Sequence, residues 1–237
     1  MTALVALIIG LSKGGLGGLL GGLATPLMAL VMPAEQVIGL LLPILMTADV
    51  FAVALHWKRW DWRLTRLLLP GAVVGVTIAT LFIKNAPTGS LKLALGIIVL
   101  VFAVYRIFEN RLLVLFRYQG QDWHGSVAGT VAGFSSALAH SGGPPVTIYL
   151  LMQKVTPGVF MATSAVFFMI LNWIKVPYYL YVGLFDFPRL LSVAWLSPLL
   201  PLGVWLGKRL GEKIDKTAFE RLVVVLLVMT ALMLIFQ

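Results

Sequence analysis

Three groups of polar residues stand out in a chain that is otherwise 60% hydrophobic. The first is Lys13 within GLSKGGLGGLLGG, residues 10–22. Glycines interrupt a helix and free backbone N–H groups to face a ligand, and a short helix starting after the break adds a dipole that favours negative charge. A lysine beside such a break makes an anion site, with Lys13 as countercharge and Gly14, Gly15, Gly17 and Gly18 as backbone donors. The pairs Gly14–Gly18, Gly17–Gly21 and Gly18–Gly22 also suit close packing of helices. Packing alone leaves Lys13 unexplained, since a buried cation costs about 2.5 kcal/mol or more on insertion scales.

The second group, SSALAHSGGPP at residues 135–145, repeats this logic with other parts. Gly142 and Gly143 release the backbone, and Pro144 and Pro145 suit the first turn of a new helix, where no N–H is needed. Ser135, Ser136, His140 and Ser141 supply polar groups, the alternative being a loop without a ligand. The third group is Asp49, Asn172 and Lys175, all inside apolar runs. Intramembrane ionisable groups are functional candidates by default. The competing reading is structural, an ion pair or hydrogen bond, for instance of Asp49 with Lys13 or Lys175. Asn172 and Lys175, three apart, share a helix face, and Pro177 kinks their segment.

Other chemistries find no support. The chain has no cysteine, which excludes disulfides, thiolate metal sites and a Cys nucleophile. It has no G-x-x-x-x-G-K-[ST] phosphate loop. His56 and His124 sit near span ends and form no metal spacing with His140. Ser141 and His140 are sequence neighbours, not a facing nucleophile and base. Arg106 and Glu109 are assigned to the membrane interface, as are Trp57, Trp60, Trp62 and Trp123. No enzyme activity, metal or cofactor is expected.

The elements that must hold these groups are transmembrane. Only 11% of the 237 residues are charged and the mean hydropathy is +0.98, against about a quarter charged in soluble domains. Apolar runs long enough to span a hydrocarbon core of roughly 30 Å occur at 36–57, 64–83, 91–108, 159–182, 190–207 and 217–236. These make six full spans. Segments 1–32 and 125–152 are apolar but broken by Gly and Pro. The net charge of +9 lies in short loops, so it describes topology and not a nucleic-acid partner. Loops 58–66, 106–117 and 208–221 hold twelve bases, loops 84–92 and 183–189 three, which puts the rich loops in the cytoplasm.

That topology fixes the broken segments. A single crossing by 125–152 would move loop 208–221 outside, and its 28 residues are too few for two crossings. It is expected to be a re-entrant hairpin entering from the cytoplasm, with 1–32 its counterpart from outside. Each half then has a hairpin and three crossings, so the halves are inverted: 1–110 as the first repeat, 111–124 as a cytoplasmic linker, and 125–237 as the second repeat. Lys13 and Ser136 are 123 apart, as are Asp49 and Asn172; Pro33 and Pro157 are 124 apart. Inverted repeats with broken helices hold substrate near the midplane.

These residues resemble a known family. GLSKGGLGGLLGGLATPLMALVMP, the mid-span Asp49, W-x-R-W-D-W-R from Trp57 to Arg63, and GFSSALAHSGGPPVTIYLL together are similar to the sulfite exporter TauE/SafE family, also called the 4-toluene sulfonate uptake permease family. The resemblance covers nearly the whole chain. It implies a secondary carrier of small organosulfur or sulfur oxyanions, such as sulfite, thiosulfate or sulfonates, built from two halves with seven or eight predicted spans. It carries over Gly14, Gly15, Gly17 and Gly18 in the first motif, and Gly142, Gly143, Pro144 and Pro145 in the second.

The expectation is therefore an all-α, multi-pass protein of the cell membrane, the inner membrane if the source is prokaryotic, working by alternating access. Hairpin tips 12–18 and 139–145 would bind the anion, with Lys13, the glycines, Ser136, His140, Ser141 and Pro144 at the site. Asp49 and His140 are candidate proton carriers if transport is proton-coupled. The partners are the anion and the bilayer, with a homodimer left open. A passive anion channel and a non-transporting assembly subunit are the alternatives.

Overall fold

A computed structural model describes residues 2–14, 19–87, 89–115, 121–185, 188, 199–211 and 216–236. The described residues form ten helices and no sheet. These are α1 (Thr2–Gly14), α2 (Leu19–Ala29), α3 (Ala34–Leu55), α4 (Trp62–Asn85), α5 (Ser90–Leu115), α6 (Asp122–Ala139), α7 (Gly143–Met152), α8 (Pro157–Tyr181), α9 (Leu199–Gly211) and α10 (Lys216–Phe236). Four are long and apolar enough to cross a membrane: α3, α4, α5 through Glu109, and α8. Shorter apolar helices include α7 and the Arg221–Phe236 part of α10. Of the expected span 190–207, residues 190–198 lie outside the described residues; so do Gly15, Gly17 and Gly18.

Local chemistry sets the helix ends. Asp61 caps α4, its Oδ1 accepting from the N–H groups of Arg63 at 2.7 Å and Leu64 at 3.2 Å. Pro157 opens α8, and Pro144 and Pro145 lie in the first turn of α7, where the missing N–H costs nothing. Helix α6 ends at His140, whose φ of 52° is left-handed, a conformation uncommon outside glycine. The N–H groups of His140 and Ser141 return to the carbonyls of Ser136 and Ser135, closing the end of the helix.

The tightest packing joins α4 to α6, backbone to backbone. A Cβ at Gly75 would stand 2.0 Å from the Thr130 carbonyl oxygen, and one at Gly133 2.3 Å from that of Ala72. Small residues allow this approach, which in lipid replaces the hydrophobic drive of water-soluble folds. Helix α1 meets α9 in the same way, Gly10 against Gly203. Helix α5 packs on α10, and α3 on α8.

The outer faces carry large exposed apolar side chains, among them Val74 and Ile78 on α4, Ile97 and Val101 on α5, and Val225 and Met229 on α10. Such faces suit lipid. Two sets of bonds relate the helix ends. At one face the N–H of Asp61 donates to Thr163 Oγ1 near the start of α8, and Arg63 pairs with Asp122 at the start of α6. At the other, Lys84 near the end of α4 bonds Tyr181 at the end of α8.

Candidate functional site

The break between α6 and α7 stands in the interior, against α3 and α8. Because His140 ends α6 in the left-handed region, its imidazole turns back into the bundle instead of continuing the helix face. Its Nε2 lies 3.0 Å from the Ile38 carbonyl of α3, and its Nδ1 3.2 Å from Lys175 Nζ of α8. A carbonyl only accepts, so Nε2 carries the proton and Nδ1 is left to accept from Lys175. Lys175 is fully buried, and its Nζ also reaches Ser136 Oγ at 3.1 Å and the Ser136 carbonyl at 3.4 Å. Three acceptors around three N–H bonds is the environment of an ammonium.

One helical turn before Lys175, Asn172 Nδ2 donates to Asp49 Oδ2 at 2.5 Å, and Asp49 is also fully buried. Two bonds therefore cross between α3 and the rest of the site, one through Asn172 and one through His140. Tyr179, one turn beyond Lys175, donates its hydroxyl to the Ala137 carbonyl at 2.7 Å. Lys175 Nζ stands 6.0 Å from the Tyr179 ring centroid, over its face. The bonds of Lys175, Tyr179 and His140 tie α8 and α3 to the end of α6, and the Asn172–Asp49 bond ties α8 to α3.

In front of this network lies a half-open cavity of about 340 Å³. Its polar wall includes Ser136, His140, Ser141, Thr147, Ser164 and Asn172; Phe102, Phe160 and Phe168 are among the apolar side chains. Along α3 it runs from Leu45 to His56, about 16 Å at 1.5 Å per residue. It thus reaches from mid-helix to the face where α3 ends and α8 begins. We call the inner end the floor and the outer end the mouth. Lys175 and Asp49 are behind the wall, not on it.

Of the residues singled out from the sequence, Ser136, His140, Ser141, Gly143, Pro144 and Asn172 come together on the cavity. Gly142 is buried and caps α7. Lys13 and Gly14 end α1, with the Lys13 side chain outside the described residues, but its neighbour Ser12 lines the cavity. Asp49 accepts from the amide of Asn172, which lies 123 residues away; the Lys13 side chain lies outside the described residues.

Sequence reasoning missed Arg106, Tyr105 and His56, which also line the cavity. By sequence Arg106 reads as an interfacial base; the structure adds that it lines the cavity. The signal was present: Phe102 and Arg106 are four apart on one helix, so a residue pointing inward carries the other with it. Among the described residues no group of His, Asp or Glu side chains could hold a metal ion. The site has donors, a buried cation and an apolar vestibule, which together fit a small anion.

A family model, that of the sulfite exporter TauE/SafE family, matches residues 2–234. No curated protein and no solved structure matches the chain.

Proposed function

Since this chain belongs to the sulfite exporter TauE/SafE family, and is thereby a multi-pass membrane transporter of sulfur anions and not an enzyme, we propose that it is a secondary carrier working by alternating access. The anion binds on the cavity floor. Its oxygens accept hydrogen bonds from the Ser136 hydroxyl, from the Ser141 hydroxyl as it leaves the Ala139 carbonyl, and from the backbone N–H groups of Gly142 and Gly143, with Pro144, which has no N–H, shaping the wall beside them. The charge of Lys175 acts through Ser136 and His140. The one observation that carries this reading is the fully buried Lys175 directly behind a wall of hydrogen-bonding groups. Lys13, Gly14, Gly15, Gly17 and Gly18 complete the site from the other hairpin.

The two halves, 1–110 and 125–237 about the linker 111–124, act as inverted repeats. The packing supports this: α1 on α9 corresponds to α6 on α4, with the same use of glycine, and Asp49 meets its counterpart Asn172 where α3 and α8 touch. With the base-rich loop 58–66 in the cytoplasm, the mouth is cytoplasmic and the cavity is open inward. Transport is proton-coupled through Asp49 and His140.

Purified protein in liposomes tests the carrier. Labelled sulfite outside should exchange saturably for sulfite or sulfoacetate inside; flux without trans-stimulation would make it a channel, and no flux would remove the transport reading. A thermal-shift panel of sulfite, thiosulfate, taurine and sulfoacetate against carboxylate analogues tests the substrate class, and stabilisation by carboxylates alone would sink it.

A further inference from the structure

Arg106 lines the cavity, yet its guanidinium Nη1 is 2.5 Å from Glu109 Oε2 one turn along α5. Both side chains are mostly shielded, at 14% and 17% exposure. The other carboxylate oxygen, Oε1, accepts from the Tyr105 hydroxyl at 3.0 Å. Tyr105 and His56 share the cavity wall with Arg106. An arginine turned into an anion pathway could bind the passing anion directly, because its planar fork matches two oxygens of a sulfite or sulfonate group. Here one arm of that fork, Nη1, already holds a carboxylate oxygen supplied by the protein.

We infer that Arg106 forms a second anion-binding station in the cavity, apart from the floor at Ser136 and His140, and that Glu109 is a tethered competitor which the sulfur oxyanion displaces. This rests on the carrier reading above. The arriving anion takes two guanidinium N–H bonds, and Glu109 keeps its Tyr105 bond, so the freed carboxylate is still partnered. As the anion moves inward Glu109 recovers Arg106. The exchange keeps the guanidinium paired throughout and prevents the station from holding the substrate too firmly for it to leave.

The test is binding of sulfite and of sulfoacetate to purified protein by calorimetry, with uptake KM in liposomes. Glu109→Gln keeps an acceptor for Tyr105 but removes the competing charge; it should tighten the anion on the order of fivefold, the upper range for a partly exposed pair. Arg106→Gln should weaken it about tenfold or more. In the double variant Glu109→Gln should add nothing, because its effect passes through Arg106. The inference is overturned if Glu109→Gln leaves affinity unchanged or weakened, or tightens it equally without Arg106. Arg106→Lys, which keeps the charge without the fork, should recover part of the loss, and no recovery together with loss of thermal stability would mark Arg106 as structural. If the unaltered protein binds neither probe, the carrier reading itself falls and this inference with it; binding without a Glu109 effect removes the inference alone.

Discussion

Lys175→Met separates a cation that serves the anion from one that only holds helices together. Methionine fills similar volume without charge, so the change removes three N–H donors and a buried ammonium at once. The three bonds go to Ser136 Oγ, the Ser136 carbonyl and His140 Nδ1, and with a charged donor are worth about 1.5 kcal/mol or more each. Removing an ammonium from the membrane interior returns about 2.5–3.5 kcal/mol. The bonds outweigh the return by about 1–2 kcal/mol or more, and the thermal midpoint should fall by several degrees.

Binding is another matter. Nζ is 3.2 Å from Nδ1, and an oxyanion against the cavity side of the imidazole, whose N–H is held by the Ile38 carbonyl, lies on the order of 8 Å from Nζ once the ring and a van der Waals contact are added. At an effective dielectric of about 20 that attraction is about 2 kcal/mol, on the order of thirtyfold in Kd. Asp49 behind Asn172 offsets part of it, so thirtyfold is the upper figure. Calorimetric titration of sulfite and sulfoacetate into purified protein, paired with a thermal melt, reads both quantities. An unchanged Kd in a well-folded variant would refute the argument, and so would a collapse in stability without loss of affinity in the protein that remains folded.

Three further outcomes are expected. Gly75→Ala puts a Cβ 2.0 Å from the Thr130 carbonyl oxygen, so α4 and α6 must separate, costing about 1–3 kcal/mol as overpacking does; a thermal melt should show it. At the hairpin break the two glycines should differ: Gly142→Ala meets the Ala132 carbonyl at 2.7 Å and should impair binding, whereas Gly143→Ala meets nothing within 4 Å and should be tolerated in uptake assays. Asp49→Asn keeps an amide partner for Asn172 and so the fold, but should abolish the effect of a pH gradient on accumulation; an unaltered response would remove Asp49 from the coupling.

The membrane character, the long helices α3, α4, α5 and α8, and the interruption near residues 140–142 were legible because each rests on local chemistry. Apolar length sets a span, and a Gly-Gly-Pro-Pro run ends one helix and starts another. Asp49, Asn172 and Lys175 were legible as exceptions, since an ionisable or amide group in such a run is costly wherever it ends up. Their partners were not. That Asp49 meets Asn172 depends on how α3 and α8 are turned about their axes, which periodicity does not give in helices surrounded by apolar residues on most sides.

Arg106 shows the same division most clearly. By sequence it was one more base near a span end, where arginine normally reaches for the headgroups. Only the packing of α5 turns the face bearing Phe102 and Arg106 toward the cavity. The residues by themselves determined that this chain lives in a membrane and breaks its helices where glycine and proline permit. The tertiary structure decided which polar groups face one another, because in a bundle with apolar side chains both inside and out, only the contacts between helices distinguish the wall of a cavity from the surface that meets lipid.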